Sequence, residues 1–504
     1  MKSFINLLVL INLTFSLNAQ TFQKVYNWAY NSEGYSLASV SDGYLLLGST
    51  RTANNQLDIL LIKTDLQGDT LWTKTYGGTG NDVGYAIKKT SDNGFIVAGY
   101  TMSSGAGESD VYLIKLNSIG GEQWSQTFGG ANADIGYAVE QTVDDGFIIS
   151  GYTESFGEGL EDVYLIRTDS LGVLVWENPY GSSCRELSYA VKETSTSDFI
   201  LTGITTGEGG TAWMVHVVKV SSNGNLVWSK SYDFSLHQNN KLRYGYSIIE
   251  NDIQEYVLTG SVGMGGIGDA QAFILKLSQS GTINSSTVYT WNSGDCYGYS
   301  LLQTGDGGYI LGGTMAFGFP TLMKLNSMGT GEWAMSYLNG GASYGGNGYS
   351  ANITTDGGYA ILGYHVSASA DTSMYLIKTD SVGNSGSPDD FQPTDFGSLW
   401  THTTSVNAPD PFCTSNSLEE QNRELNYKIY PNPVTSSAVL EFTNPDKKEY
   451  SLIIFDSRLR LIERIAHITN DHVIISKGGL QSGMYFYQLL QQGELMNSGK
   501  FIIE

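Results

Sequence analysis

Three features of the sequence predict an all-β chain. Glycine supplies 61 of 504 residues and tyrosine 32, a mixture that suits many short strands joined by tight turns. One register recurs seven times between residues 22 and 384, each time with the same succession of strand-like segments. The last 78 residues drop that register and carry apolar runs of their own. Together these predict a seven-bladed β-propeller of about 52-residue repeats followed by an immunoglobulin-like β-sandwich.

The chain opens with Lys2 and the apolar run Phe4–Leu17, then Asn18-Ala19, the pattern of a secretory signal peptide over residues 1–19. The run is too short and too briefly flanked to span a bilayer, and no other run approaches 18 residues. A mature chain without a membrane span is therefore expected. No cysteine follows the cleavage point, which speaks against a lipid anchor.

Residues 20–384 form the repeat domain. A Gly-Tyr or Ser-Tyr pair begins at Gly34, Gly84, Gly136, Ser188, Gly245, Gly298 and Gly348. An aromatic-led apolar run ending in glycine follows, as in Phe95-Ile96-Val97-Ala98-Gly99. A third segment ends in a base: Lys63, Lys115, Arg167, Lys219, Lys276, Lys324 or Lys378. Five residues beyond each base stands a glycine, and four residues after that comes Trp in five repeats. Each repeat is thus one four-stranded unit, strands A to D, which must stack on its neighbours to bury both faces.

The seventh repeat lacks strand D, whereas Phe22-Gln23-Lys24-Val25-Tyr26 aligns without gaps to Trp72-Thr73-Lys74-Thr75-Tyr76. The N-terminal strand is expected to complete blade seven and remove an exposed edge. The A–B turns are tight and Asp/Gly-rich, and the C–D turns are short. The longer, variable D–A and B–C loops share the opposite face, where a ligand site is expected.

Residues 385–426 hold four of the nine prolines in acidic, Ser/Thr-rich sequence and read as an extended linker. Residues 427–504 offer strands at Ala438–Phe442, Tyr450–Phe455, Val473–Ile475, Met484–Leu489 and Lys500–Ile503. This module opens on Tyr430-Pro431-Asn432-Pro433, continues through Leu480-Gln481-Ser482-Gly483-Met484-Tyr485 and ends on Lys500-Phe501-Ile502-Ile503-Glu504.

That ordered set resembles the type A C-terminal sorting domain of the type IX secretion system of Bacteroidota. The repeats are similar to propellers common in secreted proteins of the same phylum. The resemblance implies a sorting motif of Tyr430, Pro431, Asn432, Pro433, Gly483, Tyr485 and Lys500. It also implies transit on the type IX machinery through the periplasm and across the outer membrane. A sortase-like peptidase would then cut between Thr414 and Asn426, leaving the product at the cell surface or released. The segment Asp456-Ser457-Arg458-Leu459-Arg460 departs from the family, which usually has a turn glycine there. Asp169-x-x-Gly172-x-x-x-Trp176 is similar to quinoprotein blades, but so short a match implies no activity.

The net charge of -23 lies wholly upstream of Tyr427, since residues 427–504 carry eight bases and eight acids. Such a chain is a poor nucleic-acid binder, because a phosphate backbone needs a basic face. No His-Glu-x-x-His occurs among the six histidines, and His216 takes a strand-C position that is aromatic elsewhere, so it is expected in the core. Outside the repeat position Arg167, the propeller's arginines are Arg51, Arg185 and Arg243, each in a different blade, unlike a carboxylate clamp.

Acidic residues are periodic. Asp58, Asp110 and Asp162 stand five residues before the strand-C base, and Asp82 and Asp134 two before the Gly-Tyr pair. The topology takes both sets to the variable-loop face. There they accept hydrogen bonds from loop N–H groups, the simpler reading, or hold Ca²⁺, which takes ~6–8 oxygen ligands. Asp82, Asp110, Asp134 and Asp162 are the metal candidates, and no other cofactor is expected. The strand-C bases are expected to form a structural ring, and the strand-D aromatics to seal blade packing. Cys184 and Cys296, in loops of non-adjacent blades, are expected as free thiols. With no catalytic set assigned, the expected role is non-catalytic binding of glycan or protein. The alternatives are a polysaccharide-active hydrolase or lyase using carboxylates on the variable-loop face, and a structural surface component.

Overall fold

The computed structural model of the chain describes residues 20–28, 31–158, 160–206, 213–234, 242–263, 270–290, 294–315, 318–338, 345–390, 400–402, 406–407, 428–430, 434–442, 444, 447–456, 461–478, 480–491 and 494–503. The signal peptide, the cleavage window 414–426, Pro431, Asn432, Pro433 and the turn at 457–460 lie outside them. The chain divides into two compact units, Met1–Cys413 and Thr414–Glu504.

The first unit is seven antiparallel sheets in chain order, each with its four strands in sequence from A to D. Blade two is representative, with strands Asp82–Lys89, Phe95–Thr101, Asp110–Leu116 and Glu122–Phe128. Strands B and C are buried almost throughout, as both faces lie against neighbouring blades, whereas strand D alternates toward solvent. In blade seven Phe22–Tyr26 pairs with Met374–Lys378, so the first strand of the repeat domain takes the place of strand D. Phe22 then lies against Gly68 of blade one as Trp72 lies against Gly120 of blade two.

Two sets of side chains recur around the ring, one joining neighbouring blades and the other closing turns within a blade. The hydroxyl ending strand D donates to the carbonyl of the C–D turn glycine of the next blade: Tyr26 to Gly68, Tyr76 to Gly120, Tyr180 to Gly224, Tyr232 to Gly281, Tyr289 to Gly329 and Tyr337 to Gly383. Phe128 stands at the remaining junction. These residues seal the blades, as expected. The buried strand-C bases close the A–B turns by ion pairs: Lys63–Asp42, Lys115–Asp92, Arg167–Asp144, Lys219–Asp198, Lys324–Asp306 and Lys378–Asp356. In blade five Ile253 replaces the turn aspartate. Lys276 there bonds the Ser327 carbonyl of blade six and lies over the Tyr309 ring.

The strand-B glycines answer to close approach. At each A–B pairing the register slips at the tyrosine of the Gly-Tyr or Ser-Tyr pair, leaving it as the extra residue of a β-bulge. The bulge drives strand A against strand B, so that a Cβ on Gly151 would lie 1.7 Å from the Ile135 carbonyl oxygen and one on Gly99 1.8 Å from that of Val83.

Two expectations change. The segment read as an exposed linker supplies two edge strands: Trp400–His402 pairs with the last strand of blade five, and Val406–Asn407 with that of blade four. Cys184 is disulfide-bonded rather than free. Cys296 is a buried free thiol, pushed up to about 12 by its burial.

The second unit is a sandwich of three strands, Lys428–Tyr430, Ser437–Glu441 and His472–Ser476, and four, Tyr450–Asp456, Leu461–Ile468, Gly483–Gln491 and Glu494–Ile503. Its core includes Leu440, Leu452, Ile454, Ile475, Leu489 and Phe501. The strand Leu461–Ile468 escaped sequence reading because its exposed positions interrupt the apolar alternation. Among the described residues there is no helix long and apolar enough to cross a membrane.

Candidate functional site

Strand A starts at the variable-loop end of each blade and runs along the inside of the ring. Three residues into it comes the bulged tyrosine, about 10 Å along an extended strand. The seven bulges turn Tyr35, Tyr85, Tyr137, Tyr189, Tyr246, Tyr299 and Tyr349 toward one another. Their ring centroids follow in a closed circuit at 5.5, 5.0, 5.2, 5.4, 4.9, 5.1 and, from Tyr349 back to Tyr35, 5.9 Å. All seven are half-buried. Burial, and after it neighbouring phenols or Glu33, raises every one of these hydroxyls above the ordinary tyrosine range, so the circuit stays neutral.

A partial second tier widens the mouth. Tyr100, Tyr152 and Tyr364 lie 6.0–6.1 Å from Tyr85, Tyr137 and Tyr349, while Tyr244 and Tyr297 stack on Tyr246 and Tyr299 at 5.3 and 5.7 Å. Polar groups reach the same zone. Tyr35 donates to Glu33 at 3.0 Å, and the Asn347 amide donates to the Tyr349 and Tyr364 hydroxyls at 3.1 Å each. On loops of this face Trp28, Met102, Phe156 and Leu160 are exposed. Further along strand A the channel carries Lys88, Glu140 and Lys192, the last two ion-paired. The aromatic circuit offers stacking surface and neutral donors, and none of its members is an activated nucleophile.

The four metal candidates do not meet at this circuit. They sit at the junctions between blades, with Asp82 facing Asp58 across Gly77, Asp134 facing Asp110 across Gly129, and Asp162 against Gly181, near enough to Glu186 to feel its charge. Asp82, Asp110, Asp134 and Asp162 are at most 2% exposed. Their accepted bonds come largely from loop groups: Asp82 takes Gly78 N–H and Ser103 O–H, Asp134 takes Gly130 N–H and Ser155 O–H, and Asp110 takes the N–H groups of Ala106 and Gly107. Among the described residues no group of three or more His, Cys, Asp or Glu converges as a metal site. His216 is a core residue, its ring bonded to Ser229 at 2.7 Å and its pKa lowered to about 4 by burial.

Of the sorting residues, Gly483 and Tyr485 begin a strand paired to the C-terminal one. Tyr485 stacks on Phe501 and donates to the Gln481 carbonyl at 3.0 Å. Tyr430 and Lys500 lie in strands at opposite ends of the module's sequence.

Comparison with known proteins divides along the same boundary. Residues 428–504 match the family described as the secretion system C-terminal sorting domain, so the chain ends in a type IX sorting domain and is exported to the cell surface or beyond. No curated protein matches the chain. Among solved structures, the chain is similar to the extracellular domain of the one-component system protein BT4673 from B. thetaiotaomicron (8% identity, 96% of this chain and 58% of that one, TM-score 0.40). It is also similar to the β-propeller domain of the Trilobed protease from Pyrococcus furiosus (8%, 74% and 99%, 0.36). A third is the BP39L lectin from Burkholderia pseudomallei (9%, 71% and 98%, 0.41). The chain thus spans 58% of the first of these and nearly all of the other two. Likenesses this distant carry no functional argument.

Proposed function

We propose that the exported propeller is a non-catalytic binding module whose ligand, a glycan or a protein segment, seats on the tyrosine circuit at the variable-loop mouth of the channel. The closed ring of seven half-buried tyrosines supports this reading above all. A ring of phenols presents apolar faces for stacking and hydroxyls for hydrogen bonding, which suits sugar rings and extended peptides alike. The sorting domain delivers this module through the type IX machinery and is removed by the sortase-like peptidase.

A glycan array probed with the full chain, followed by product analysis on matching polysaccharides, tests it. Binding without product release is expected, and Trp28→Ala at the rim should weaken it. Release of oligosaccharides, abolished by one carboxylate substitution on the loop face, would replace the binding role with a polysaccharide-active one.

A further inference from the structure

We propose that the three junctions joining blades one to four are Ca²⁺ sites, each built on a carboxylate pair: Asp58 with Asp82, Asp110 with Asp134, and Asp162 with Glu186. The inference is independent of the ligand at the tyrosine circuit.

Two of the pairs close around a glycine that follows strand D, and Asp162 of the third lies against another such glycine. A Cβ on Gly129 would lie 2.5 Å from both Asp110 Oδ1 and Asp134 Oδ2, one on Gly77 would lie 2.6 Å from Asp82 Oδ2 and 3.1 Å from Asp58 Oδ1, and one on Gly181 1.7 Å from Asp162 Oδ1. The missing side chain is what admits two carboxylates into one gap. Loop donors then fix one side of each pair. Asp82 Oδ2 is held by Gly78 N–H and Ser103 O–H at 2.8 and 2.6 Å, Asp134 Oδ2 by Gly130 N–H and Ser155 O–H at 2.7 Å each. Glu186 is held by the Ser182 and Thr205 hydroxyls at 2.8 and 3.0 Å.

The other oxygens are left over. Asp58 Oδ1, Asp82 Oδ1, Asp134 Oδ1 and Asp162 Oδ1 are buried with no hydrogen-bond partner, and Asp82, Asp134 and Asp162 are at most 1% exposed. Buried carboxylate oxygens without a partner carry a large desolvation penalty, and two facing carboxylates add repulsion. A cation between the pairs removes both costs.

The fourth junction shows the chain supplying such a charge itself. Arg243 occupies the register position of Asp82 and Asp134, and Asp233 that of Gly77. The guanidinium pairs with Asp233 at 2.7 Å and donates to the Trp213 carbonyl at 3.2 Å. Met214 stands where the strand-C aspartate stands elsewhere, so the carboxylate pair is lost at the junction that gains a fixed cation.

All donors are hard oxygens, which favours Ca²⁺ over softer metals. With two acidic residues per site, loop carbonyls and water must complete the shell. Affinities on the order of 10⁻⁴–10⁻³ M, as in extracellular modules, are therefore expected.

The test uses the purified full chain, stripped with EGTA and dialysed against CaCl₂ or MgCl₂ up to about 10 mM, with bound metal and Tm as readouts. Three Ca²⁺ per chain and a Tm rise on the order of 5 °C, absent with Mg²⁺, are expected. Asp134→Asn should bind one Ca²⁺ fewer while its Tm in EGTA does not fall below that of the unsubstituted chain, since the amide removes one of the two facing charges. No retained Ca²⁺, or an equal response to Mg²⁺, would overturn the proposal. So would stabilisation on acidification toward pH 5 with no Ca²⁺ response, the mark of pairs that share a proton instead.

Discussion

The interblade hydroxyl latch allows a prediction with its own internal control. Tyr232 is fully buried and its hydroxyl donates to the Gly281 carbonyl at 2.7 Å across the junction of blades four and five. Phenylalanine fits the same register position, because Phe128 fills it at the junction of blades two and three. Tyr232→Phe therefore removes one hydrogen bond and little else. A net bond contributes roughly 1 kcal/mol, and a buried carbonyl left without that donor raises the loss to about 1–2 kcal/mol. The reverse change, Phe128→Tyr, places a hydroxyl opposite Gly172 and should gain about 0.5–1 kcal/mol. The propeller transition in guanidinium, followed by tryptophan fluorescence, reads both as shifts in midpoint at constant slope. An unchanged midpoint for Tyr232→Phe, or a destabilised Phe128→Tyr, would refute the latch.

Further outcomes follow from other parts of the molecule. Lys63 holds Asp42 below the usual carboxylate range, and at Asp92 the bonds from Lys115, Thr90 and Gly94 outweigh burial and bring it to about 2. Since these folded-state values are depressed, their stabilisation is complete above the unfolded value of about 4 and fades as pH falls toward 2. Tm measured from pH 6 down to pH 2.5 should fall through that window, and a flat profile would contradict it. Gly151→Ala forces a Cβ to within 1.7 Å of the Ile135 carbonyl and should cost more than ~3 kcal/mol, read as loss of soluble protein or a much lowered midpoint. Deleting residues 428–504 should trap the propeller in the periplasm, as cell fractionation would show. Unchanged delivery to the surface would count against the sorting assignment.

Much of the architecture was legible because each blade repeats the same physical demands. Gly99 and Gly151 recur where strand A presses on strand B, Gly120 and Gly172 where a C–D turn needs positive φ, and Trp72 and Trp124 where a ring must cover that glycine. The gapless match of Phe22–Tyr26 to Trp72–Tyr76 likewise anticipates a strand that pairs with blade seven. The proposed ligand zone was harder to read for the same reason. A residue that repeats seven times looks structural, yet around a symmetry axis seven copies converge on one place. Tyr85 and Tyr137 marked the register without disclosing that the bulge turns them inward, since the bulge is a register slip between strands. The edge strand at Trp400–His402 was hidden because its pairing partner lies over a hundred residues away, at Val288–Thr290.

The proposed ligand site of the exported propeller is the tyrosine circuit. Its most direct test is the affinity of the full chain for the best array glycan after Tyr137→Ala, set beside Ile119→Ala on the exposed opposite face. Loss of an aromatic contact of about 1–2 kcal/mol predicts a roughly tenfold weaker Kd for the first and no change for the second. Equal affinities for both variants, with Tyr137→Ala folded by circular dichroism, would contradict the account.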